Sequence, residues 1–241
     1  MSPAPELSIV VPCYNEAASL PSLLEAFRLA GAGASYELIV VDNGSSDNTA
    51  AELDRLLPAY PFARAVKVET NRGYGFGILS GLGAAAGQAV GWIHADLQFD
   101  PAAVFQAARL YKEAGSKKIF VKGLRLGRPF TDRLFTAGMA VFETVLMSAL
   151  LRDINGQPTL FDRSLLETWT SPPHDFSLDL YACVTARRAG FRVVRFEVEN
   201  YARLHGVSSW NKGLGTRLAL AWRTMAASLR LRAALRGGRA G

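Results

Sequence analysis

Short apolar runs alternate with helix-forming segments along most of this chain, and that alternation restricts its possible folds more than any other feature. Each run has the length and composition of a buried strand, and the segments between them space apolar residues as one face of a helix. Parallel strands need such crossover helices, which cover both faces of a sheet. The pattern predicts one α/β domain with a mostly parallel sheet. The predicted strands are Leu7 to Val11, Tyr36 to Val41, Ala65 to Glu69, the run ending at His94, Lys118 to Val121 and Arg192 to Val198.

Three of the predicted strands end in polar clusters. Residues Pro12 to Glu16 follow the first strand, Asp42 follows the second, and His94-Ala-Asp96-Leu-Gln98 follows the fourth. In open α/β sheets, ligands bind beyond the carboxyl ends of the strands. Each cluster also has a purely structural explanation, since Asp42 opens a turn before a helix and Glu16 suits an exposed loop. Convergence of all three on one edge favours a shared site.

The sequence lacks the motifs of several nucleotide-binding and hydrolytic enzymes. It contains no Gly-x-x-x-x-Gly-Lys-Ser/Thr segment of a P-loop and no Gly-x-Ser-x-Gly elbow of a hydrolase. The glycine-rich segment from Asn71 to Gly81 departs from the dinucleotide-binding motif, because Ser80 takes the place of the last glycine and the segment follows the third strand. These three enzyme classes are therefore disfavoured.

Positive charge is concentrated towards the C-terminus. The formal net charge is +6, yet eight Lys and Arg and no Asp or Glu follow Glu199. Residues 1–199 hold 19 Lys and Arg against 21 Asp and Glu, a net charge of −2. We therefore predict a domain over 1–206 and a basic tail over 207–241 that contacts an anionic surface, and no nucleic-acid partner.

No segment is predicted to cross a membrane. Residues 73–93 carry no charge but contain seven glycines, and 134–151 contain Glu143 near the middle. The second segment suits either a helix at a membrane interface or a buried core helix. Cys13 and Cys183 match no metal or redox spacing, and no basic region precedes the first apolar run. Together these features predict a cytoplasmic chain with reduced thiols and no signal peptide.

A resemblance to a known family is carried by four ordered segments, LSIVVPCYNEAASLPSLL, ELIVVDNGSSDNTA, NRGYGFGILSGLGAAAG and ADLQFDP. Together they resemble the inverting GT-A-fold glycosyltransferases of family 2. The later KGLR, RDINGQPTLFDR, DFSLDLYACVTARRAGFRVVRFEV and RLHGVSSWN are similar to its polyprenyl-phosphate group, such as dolichyl-phosphate mannosyltransferase. The resemblance covers roughly residues 6–212. It implies a Rossmann-like GT-A fold and transfer of a sugar from a GDP- or UDP-linked nucleotide sugar to a polyprenyl phosphate.

The resemblance also implies roles on the donor side. In the family's Asp-Ala-Asp-Leu-Gln motif, the second Asp and the Gln hold Mg²⁺ or Mn²⁺, and these positions are Asp96 and Gln98 here. The segment after the first strand embraces the base and ribose. The implied nucleotide-sugar contacts are Pro12, Tyr14, Glu16, Asp42, His94, Ala95, Asp96 and Arg203.

The departure from this motif falls on its first Asp, which is His94 here. The family uses that carboxylate chiefly for the nucleotide sugar, so the change bears on donor preference more than on metal binding. Displacing a nucleoside diphosphate requires neutralisation of its growing negative charge, a role that suits Mg²⁺ or Mn²⁺ with oxygen ligands. His94 can still donate to a phosphate or ribose oxygen, or ligate Mn²⁺. The alternative is an inert histidine that closes the strand.

On the acceptor side, the resemblance implies that Arg125 and Arg133 grip the lipid phosphate. Guanidinium groups suit phosphate oxygens because they can donate two parallel hydrogen bonds. With Asp96, these two arginines are the predicted catalytic residues. Asp153 and Gln157 match a turn of the family that orders the acceptor site.

Two other functions stay open. A lipid phosphate is already anionic and needs no general base, whereas a carbohydrate hydroxyl acceptor would need one. Candidate bases are Asp175 and Asp179, whose structural roles would be helix capping for Asp175 and pairing with Arg187 or Arg188 for Asp179. The non-enzymatic alternative is a nucleotide-sugar-binding subunit whose catalysis lapsed with His94.

The tail repeats its apolar residues at three- and four-residue steps, with arginines between them. This spacing predicts a basic amphipathic helix with Trp222 as an anchor at headgroup level. The predicted partners are an anionic membrane surface and a membrane-anchoring subunit, and the predicted location is the cytoplasmic face of the membrane. The alternative is a C-terminal helix packed on the domain with its arginines in water. The predicted apolar stripe consists of Leu214, Leu218, Trp222, Met225 and Leu229.

Overall fold

A computed structural model of the protein describes residues 4–127, 130–201 and 214–237. The strands within these ranges are β1 (Leu7–Cys13), β2 (Tyr36–Asn43), β3 (Ala63–Val68), β4 (Ala89–Trp92), β5 (Ile119–Arg125), β6 (Thr159–Asp162) and β7 (Arg192–Val198). They form one seven-stranded sheet in the order β3-β2-β1-β4-β6-β5-β7. The mostly parallel α/β architecture predicted from the alternating pattern is confirmed.

The α-helices of the described residues follow the predicted segments. They are α1 (Leu20–Ala30), α2 (Thr49–Leu56), α3 (Tyr74–Ala84), α4 (Ala102–Glu113), α5 (Phe130–Met147), α6 (Leu178–Arg188) and α7 (Leu214–Gly237). In α1, the buried side chains Leu20, Leu23, Leu24 and Phe27 recur at helical spacing, and Pro21 lies in the first turn, where its missing N–H costs no hydrogen bond. Short 3₁₀ helices lie at Leu57–Ala59 and Arg163–Thr168.

Strand β6 interrupts the parallel arrangement. It runs antiparallel to both β4 and β5, whereas the other neighbouring pairs are parallel. All six strands predicted from apolar runs are present, but β6 is not among the predictions. It has only four residues, of which Thr159 and Asp162 are polar, so no apolar run marks it.

Apolar side chains fill both faces of the sheet, as a parallel sheet covered by helices requires. Helices α3 and α6 and parts of α5 and α7 pack on one face, and α1 and α4 on the other. Successive strand residues alternate between the two clusters, so that Val10 joins the first and Val11 the second. This double coverage leaves the strand ends as the places where polar residues can gather.

Helix α7 packs along α5. The hydroxyl of Ser228 donates to Glu143 Oε1 at 3.2 Å, and both residues are buried. Leu231 joins the apolar cluster that includes α6, and Arg188 Nη1 on α6 donates to the Leu235 carbonyl at 3.3 Å. One face of α7 is therefore covered by the rest of the chain. The predicted domain boundary between 206 and 207 lies outside the described residues.

Two residues of the apolar stripe predicted for α7, Trp222 and Leu229, face outward, and the side chains of Leu214 and Leu218 lie outside the described part of the chain. Trp222 and Leu229 are 71% and 54% exposed, whereas Leu231 is buried, because two further residues turn a helix by about 200°. On α5, Val141 and Val145 are also exposed, while Glu143 between them points inward. Each helix thus presents apolar side chains outward. Across the described ranges, no helix is both long and apolar enough to span a bilayer.

Glu143 makes the stability of this packing depend on pH. Burial raises its pKa to about 7 from an ordinary value of 4.5, against the hydrogen bond from Ser228. Between the two pKa values, the folded chain keeps a proton on the Glu143 carboxyl that the unfolded chain releases. The contribution of Glu143 to the free energy of unfolding is therefore fully present below the unfolded pKa and is lost as pH rises through the folded pKa. We expect Glu143→Gln to raise the free energy of unfolding by up to about 3 kcal/mol near pH 8, and by nearly nothing near pH 4. Urea unfolding at the two pH values measures this, with exposed Glu113→Gln as control. An equal gain at both pH values would contradict it.

Candidate active site

Four strand ends bring the predicted site residues to one edge of the sheet. Cys13 on β1 is level with Asp42 on β2, and β4 runs parallel beside β1. Trp92 on β4 and Lys122 on β5 lie opposite the same residue of β6, Thr159, so β5 ends at the same edge. The residues in or just after these strand ends are Pro12, Tyr14, Glu16, Asp42, His94, Ala95, Asp96, Gln98 and Arg125.

Hydrogen bonds tie the loop after β1 to the turn after β2. The Ser46 N–H donates to Asn15 Oδ1 at 2.8 Å, and the Glu16 N–H donates to Thr49 Oγ1 at 3.0 Å. Asn15 itself has a left-handed φ of 58°, a conformation that asparagine tolerates better than most residues. The two loops therefore form one connected wall of the candidate site.

The predicted nucleotide contacts in this wall differ in accessibility. Tyr14 is 49% exposed, and Pro12 is partly exposed. Asp42 is buried and its Oδ1 accepts from the Ser45 N–H at 3.0 Å, while Glu16 is partly buried and accepts from the Ser19 hydroxyl at 2.8 Å. Asp42 thus has the turn-forming role considered for it, and that role is compatible with a ligand contact at the same edge.

The Asp96-Leu97-Gln98 segment has an unusual backbone. Leu97 adopts a left-handed φ of 54°, which is strained for a residue with a Cβ. Asp96 is buried and its Oδ1 accepts from the Gln98 N–H at 3.2 Å, and the Gln98 carbonyl accepts from the Tyr201 N–H at 2.9 Å. Backbone strain of this kind costs on the order of 1–3 kcal/mol and is concentrated at functional sites.

Asp96 and Gln98 fit a divalent cation as a partial ligand set. A carboxylate and an amide oxygen are hard ligands of the kind that Mg²⁺ and Mn²⁺ accept. Within the ranges that the structure describes, no three His, Cys, Asp or Glu side chains converge as a metal site. A cation here would therefore take its remaining ligands from a diphosphate and water.

His94 is paired with Tyr74 of the glycine-rich segment. The Tyr74 hydroxyl lies 3.0 Å from His94 Nε2. Burial raises the pKa of Tyr74 well above its usual range, and burial lowers the pKa of His94 although the carboxylates of Asp96 and Asp179 oppose that shift. The imidazole is therefore neutral and shares one hydrogen bond with the Tyr74 hydroxyl, and either group can be the donor, depending on the tautomer of His94. His94 offers one N–H donor where the family has a carboxylate.

Close backbone approach explains two glycines of that segment. Gly73 has a φ of 107°, and a Cβ there would lie 2.5 Å from the His174 carbonyl oxygen. A Cβ at Gly75 would lie 2.5 Å from the carbonyl oxygen of Pro173. Tyr74, between them, stacks on Phe176 with ring centroids 4.7 Å apart. The glycines thus allow Tyr74 to reach its place beside the site.

A buried ion pair lies beneath the edge. Lys122 Nζ donates to Asp179 Oδ1 at 2.8 Å and to Thr159 Oγ1 at 2.6 Å, and both charged side chains are almost inaccessible. Gln157 Nε2 donates to the same Asp179 oxygen at 3.1 Å and reaches the Tyr74 hydroxyl at 3.5 Å. The Lys122–Asp179 pair therefore connects β5, β6 and α6 to Tyr74, which contacts His94.

The partner predicted for Asp179 is wrong. Arg187 and Arg188 lie at exposed positions near the end of α6, whereas Asp179 points toward the sheet and pairs with Lys122, which lies 57 residues away in sequence. The reading of Asp179 as an ordinary helix-surface partner fails because all the first residues of α6 are buried. Asp179 is consequently not exposed to an acceptor.

Two further residues of this network are missed by the reasoning from sequence, Lys122 and Tyr74. A lysine inside an apolar strand is a signal that could have indicated a buried carboxylate, because an unpaired buried charge is costly. No sequence signal distinguishes Tyr74 from other loop aromatics. Asp175 is exposed and its Oδ1 accepts from the Ser177 N–H at 2.9 Å in the turn before α6. The N-cap of α6 is Ser177, without a side-chain cap, so the capping role predicted for Asp175 is wrong.

Arg125, at the end of β5, is held by Asp153. Its Nε donates to Asp153 Oδ1 at 2.8 Å, its backbone N–H donates to Oδ2 at 2.7 Å, and its Nη2 also contacts Oδ1. Arg195 Nη1 donates to the Asp153 carbonyl at 3.2 Å. Arg133 belongs to α5, but its side chain lies outside the described part of the chain, as does all of Arg203.

Comparison with known proteins identifies the family. Residues 8–127 match the family described as Glycosyl transferase family 2. The chain belongs to this family. It is 37% identical over 119 residues to the undecaprenyl-phosphate 4-deoxy-4-formamido-L-arabinose transferase of Serratia proteamaculans, covering 47% of this chain and 36% of that protein. The corresponding protein of Sodalis glossinidius is 41% identical over 100 residues, covering 40% and 30%. The chain thus spans about a third of the length of these curated relatives.

Solved structures show the fold of this family 2 glycosyltransferase. Glucosyl-3-phosphoglycerate synthase from Mycobacterium tuberculosis, with Mn²⁺, UDP and glucosyl-3-phosphoglycerate, superposes with a TM-score of 0.70 at 22% identity, covering 95% of this chain and 80% of that one. A mannosyltransferase from Pyrobaculum calidifontis, with GDP-mannose and Mn²⁺, gives a TM-score of 0.65 at 19% identity, covering 100% and 77%. The predicted GT-A architecture is confirmed.

The buried pair predicts a large effect on the stability of the glycosyltransferase. Asp179→Asn leaves the Lys122 ammonium buried without its counter-charge, so we expect the free energy of unfolding to fall by about 3–5 kcal/mol. Asp175→Asn, four residues earlier and exposed, keeps an oxygen that can accept from the Ser177 N–H and should change the free energy of unfolding by less than about 0.5 kcal/mol. Urea unfolding of the two variants measures the difference. A loss below about 1 kcal/mol for Asp179→Asn would mean that the pair does not form in solution.

Proposed function

We propose that the chain transfers a sugar from a GDP- or UDP-linked nucleotide sugar to the phosphate of an undecaprenyl- or dolichyl-type lipid. The observation that carries this proposal is the burial of Asp179 against Lys122, which removes a candidate base from reach of an acceptor hydroxyl. A lipid phosphate needs no base, because it is already an anionic nucleophile. The names of the curated relatives, which are undecaprenyl-phosphate transferases, support the same class of acceptor.

The donor would bind along the wall formed by the loops after β1 and β2. The accessible ring of Tyr14 suits contact with a nucleotide base, and His94 can donate to a phosphate or ribose oxygen. Tyr74 fixes the orientation of that imidazole. The full proposed set of nucleotide-sugar contacts is Pro12, Tyr14, Glu16, Asp42, His94, Ala95, Asp96 and Arg203.

Asp96 and Gln98 would hold Mg²⁺ or Mn²⁺. The bound cation supplies charge neutralisation to the departing nucleoside diphosphate. The backbone around Leu97 keeps the Asp96 carboxylate and the Gln98 amide at the strand end. Support for Mn²⁺ comes from the structural neighbours, which were solved with that ion and a UDP or GDP ligand.

The acceptor phosphate would be held by Arg125 and Arg133. Asp153 orients Arg125 before a substrate arrives, which reduces the entropy lost on binding. One phosphate oxygen then attacks the anomeric carbon from the side opposite the diphosphate. The bond between that carbon and the diphosphate oxygen breaks, and the configuration at the carbon inverts.

A second candidate function is nucleotide-sugar binding without turnover. The observation in its favour is His94, which provides a donor where the family provides a carboxylate. Tight nucleotide-sugar binding with no transfer to any lipid phosphate would select this function. Measurable transfer would reject it.

For the metal role, we expect Asp96→Asn to reduce transfer by roughly a thousandfold or more, because the cation loses its carboxylate ligand. The free energy of unfolding should change little, since Asp96 lies at the strand end. Transfer of labelled sugar to undecaprenyl phosphate in Mn²⁺ measures the rate. The control is Asp100→Asn, an exposed carboxylate whose Oδ1 accepts from the Ala102 N–H at 2.8 Å and which Asn can replace. Sugar transfer by Asp96→Asn at the wild-type rate would show that Asp96 is not the carboxylate ligand of the cation.

For the acceptor role, we expect Arg133→Ala to raise the KM for lipid phosphate by roughly 10- to 150-fold, the loss of one charge-assisted contact. The KM for nucleotide sugar should stay within about threefold. Arg28→Ala is the control, since Arg28 is exposed and paired with Glu25 on α1. If Arg133→Ala raises the KM for lipid phosphate and the KM for nucleotide sugar equally, Arg133 does not hold the acceptor phosphate.

We also propose that the chain associates peripherally with the cytoplasmic face of a membrane, directly or through an anchoring subunit. The outward-facing Trp222 and Leu229 of α7 support this, as does the concentration of arginine in the tail. Binding to anionic vesicles that weakens with salt is the measurement that tests it.

A further inference from the structure

The C-terminal ends of α5, α6 and α7 enclose a cleft that belongs to neither the proposed donor site nor the proposed acceptor site. Its volume is about 490 Å³. Leu146 and Met147 of α5, both buried, line it together with Arg187 and Arg188 of α6 and Arg232 of α7. The cleft therefore combines an apolar lining with three guanidinium groups from two helices.

Positive charge is concentrated in this cleft. No Asp or Glu is among the described residues that line it. Burial lowers the pKa of Arg195, and the nearby charges of Arg187 and exposed Arg152 lower it further, against the opposing carboxylate of Asp153. Arginines in the last turn of α6 could serve only to offset the helix dipole, but Arg232 comes from a different helix. Converging like charges favour an anionic ligand.

The rim of the cleft is apolar on the α5 side. Leu150, which lines the cleft, is 58% exposed, and Val145 one turn before Ala149 is 73% exposed. The Ser148 hydroxyl stands among them as a further polar group. A ligand with an anionic head and an apolar body would contact both parts, whereas a free anion would contact only the arginines.

The cleft is distinct from the place proposed for the acceptor phosphate. Arg133 and Ser148 are 15 residues apart at the two ends of α5, which separates them by about 22 Å along the helix axis. The exposed Val141 and Val145 lie between them. A membrane surface that meets the cleft at one end of α5 could therefore reach the acceptor arginine at the other.

We propose that this cleft binds the phosphate of an anionic membrane phospholipid and so sets the orientation of the enzyme, with α5 along the membrane surface. Guanidinium groups suit a phosphate diester because they donate paired hydrogen bonds. The inference rests on the proposed membrane association, but it requires no catalytic turnover.

The test compares charge-matched double variants in co-sedimentation with vesicles of equal parts phosphatidylcholine and phosphatidylglycerol. Arg187→Gln with Arg232→Gln should weaken binding about thirtyfold. Arg188 is left in place because it donates to the Leu235 carbonyl. The control, Arg28→Gln with Arg55→Gln, removes the same charge from α1 and α2, where both arginines pair with glutamates. It should weaken binding less than about threefold.

Lysine variants separate a built site from general attraction to a charged surface. Arg187→Lys with Arg232→Lys keeps the charge but loses the planar fork, so it should recover only part of the lost affinity. Full recovery by lysine, or equal losses in the glutamine pair and its control, would overturn the proposal. If the glutamine pair binds the vesicles as tightly as the wild-type chain but loses binding of inorganic phosphate in solution, the cleft is a site for a free anion and the proposal is overturned.

Sugar transfer to a short, water-soluble prenyl phosphate separates this proposal from the proposed function. The glutamine pair should transfer to that acceptor at the wild-type rate, since the cleft orients the enzyme only at a membrane. If neither protein transfers sugar, the proposed function fails, while the vesicle comparison still decides the role of the cleft. A wild-type chain that does not bind the vesicles would reject both the cleft and the membrane association.

Discussion

A lysine amine in the middle of an apolar strand requires a partner in the interior, because an unpaired buried charge is very costly. Lys122 of β5 meets this requirement with Asp179 of α6 and Thr159 of β6, so that three elements distant in sequence share one polar contact. Such a pair adds little net stability compared with well-packed apolar residues, yet removal of one partner is strongly destabilising. Its importance here is therefore the arrangement that it enforces. Gln157 extends the contact to Tyr74, and Tyr74 in turn holds His94.

This arrangement gives the altered motif a physical interpretation. A carboxylate in place of His94 would bring another negative charge beside Asp96, whereas a neutral imidazole brings none and keeps a directed N–H. The contact with the Tyr74 hydroxyl fixes the orientation of the imidazole ring. The histidine is thus part of the hydrogen-bond network beneath the site.

The features that could be predicted from sequence are those with a local physical signal. Strand and helix periodicity indicated six strands and the sheet architecture, and the polar residues at strand ends indicated the edge where the site lies. Strand β6 carries no such signal, since its four residues are stabilised by pairing with β4 and β5. The partner of Asp179 also depends on contacts remote in sequence. The apolar periodicity of α7 indicates a helix, but it does not indicate which face of that helix packs inward. The inward face contains the polar Ser228, which donates a hydrogen bond to buried Glu143.

The antiparallel strand β6 also affects how the two substrates can be recognised. On one side of it lie β4, β1 and β2, which bear the residues proposed for the nucleotide apart from Arg203, with β3 beyond them. On the other side lie β5 and β7, which bear Arg125 and its supporting Arg195. Within the sheet, the backbone hydrogen bonds between these two groups all pass through the four residues of β6. A change in the strands of one group therefore leaves the internal register of the other intact. The strands that bear the proposed donor contacts and the strands that bear the proposed acceptor arginine can therefore change separately, because the sheet connects them only through the short strand β6.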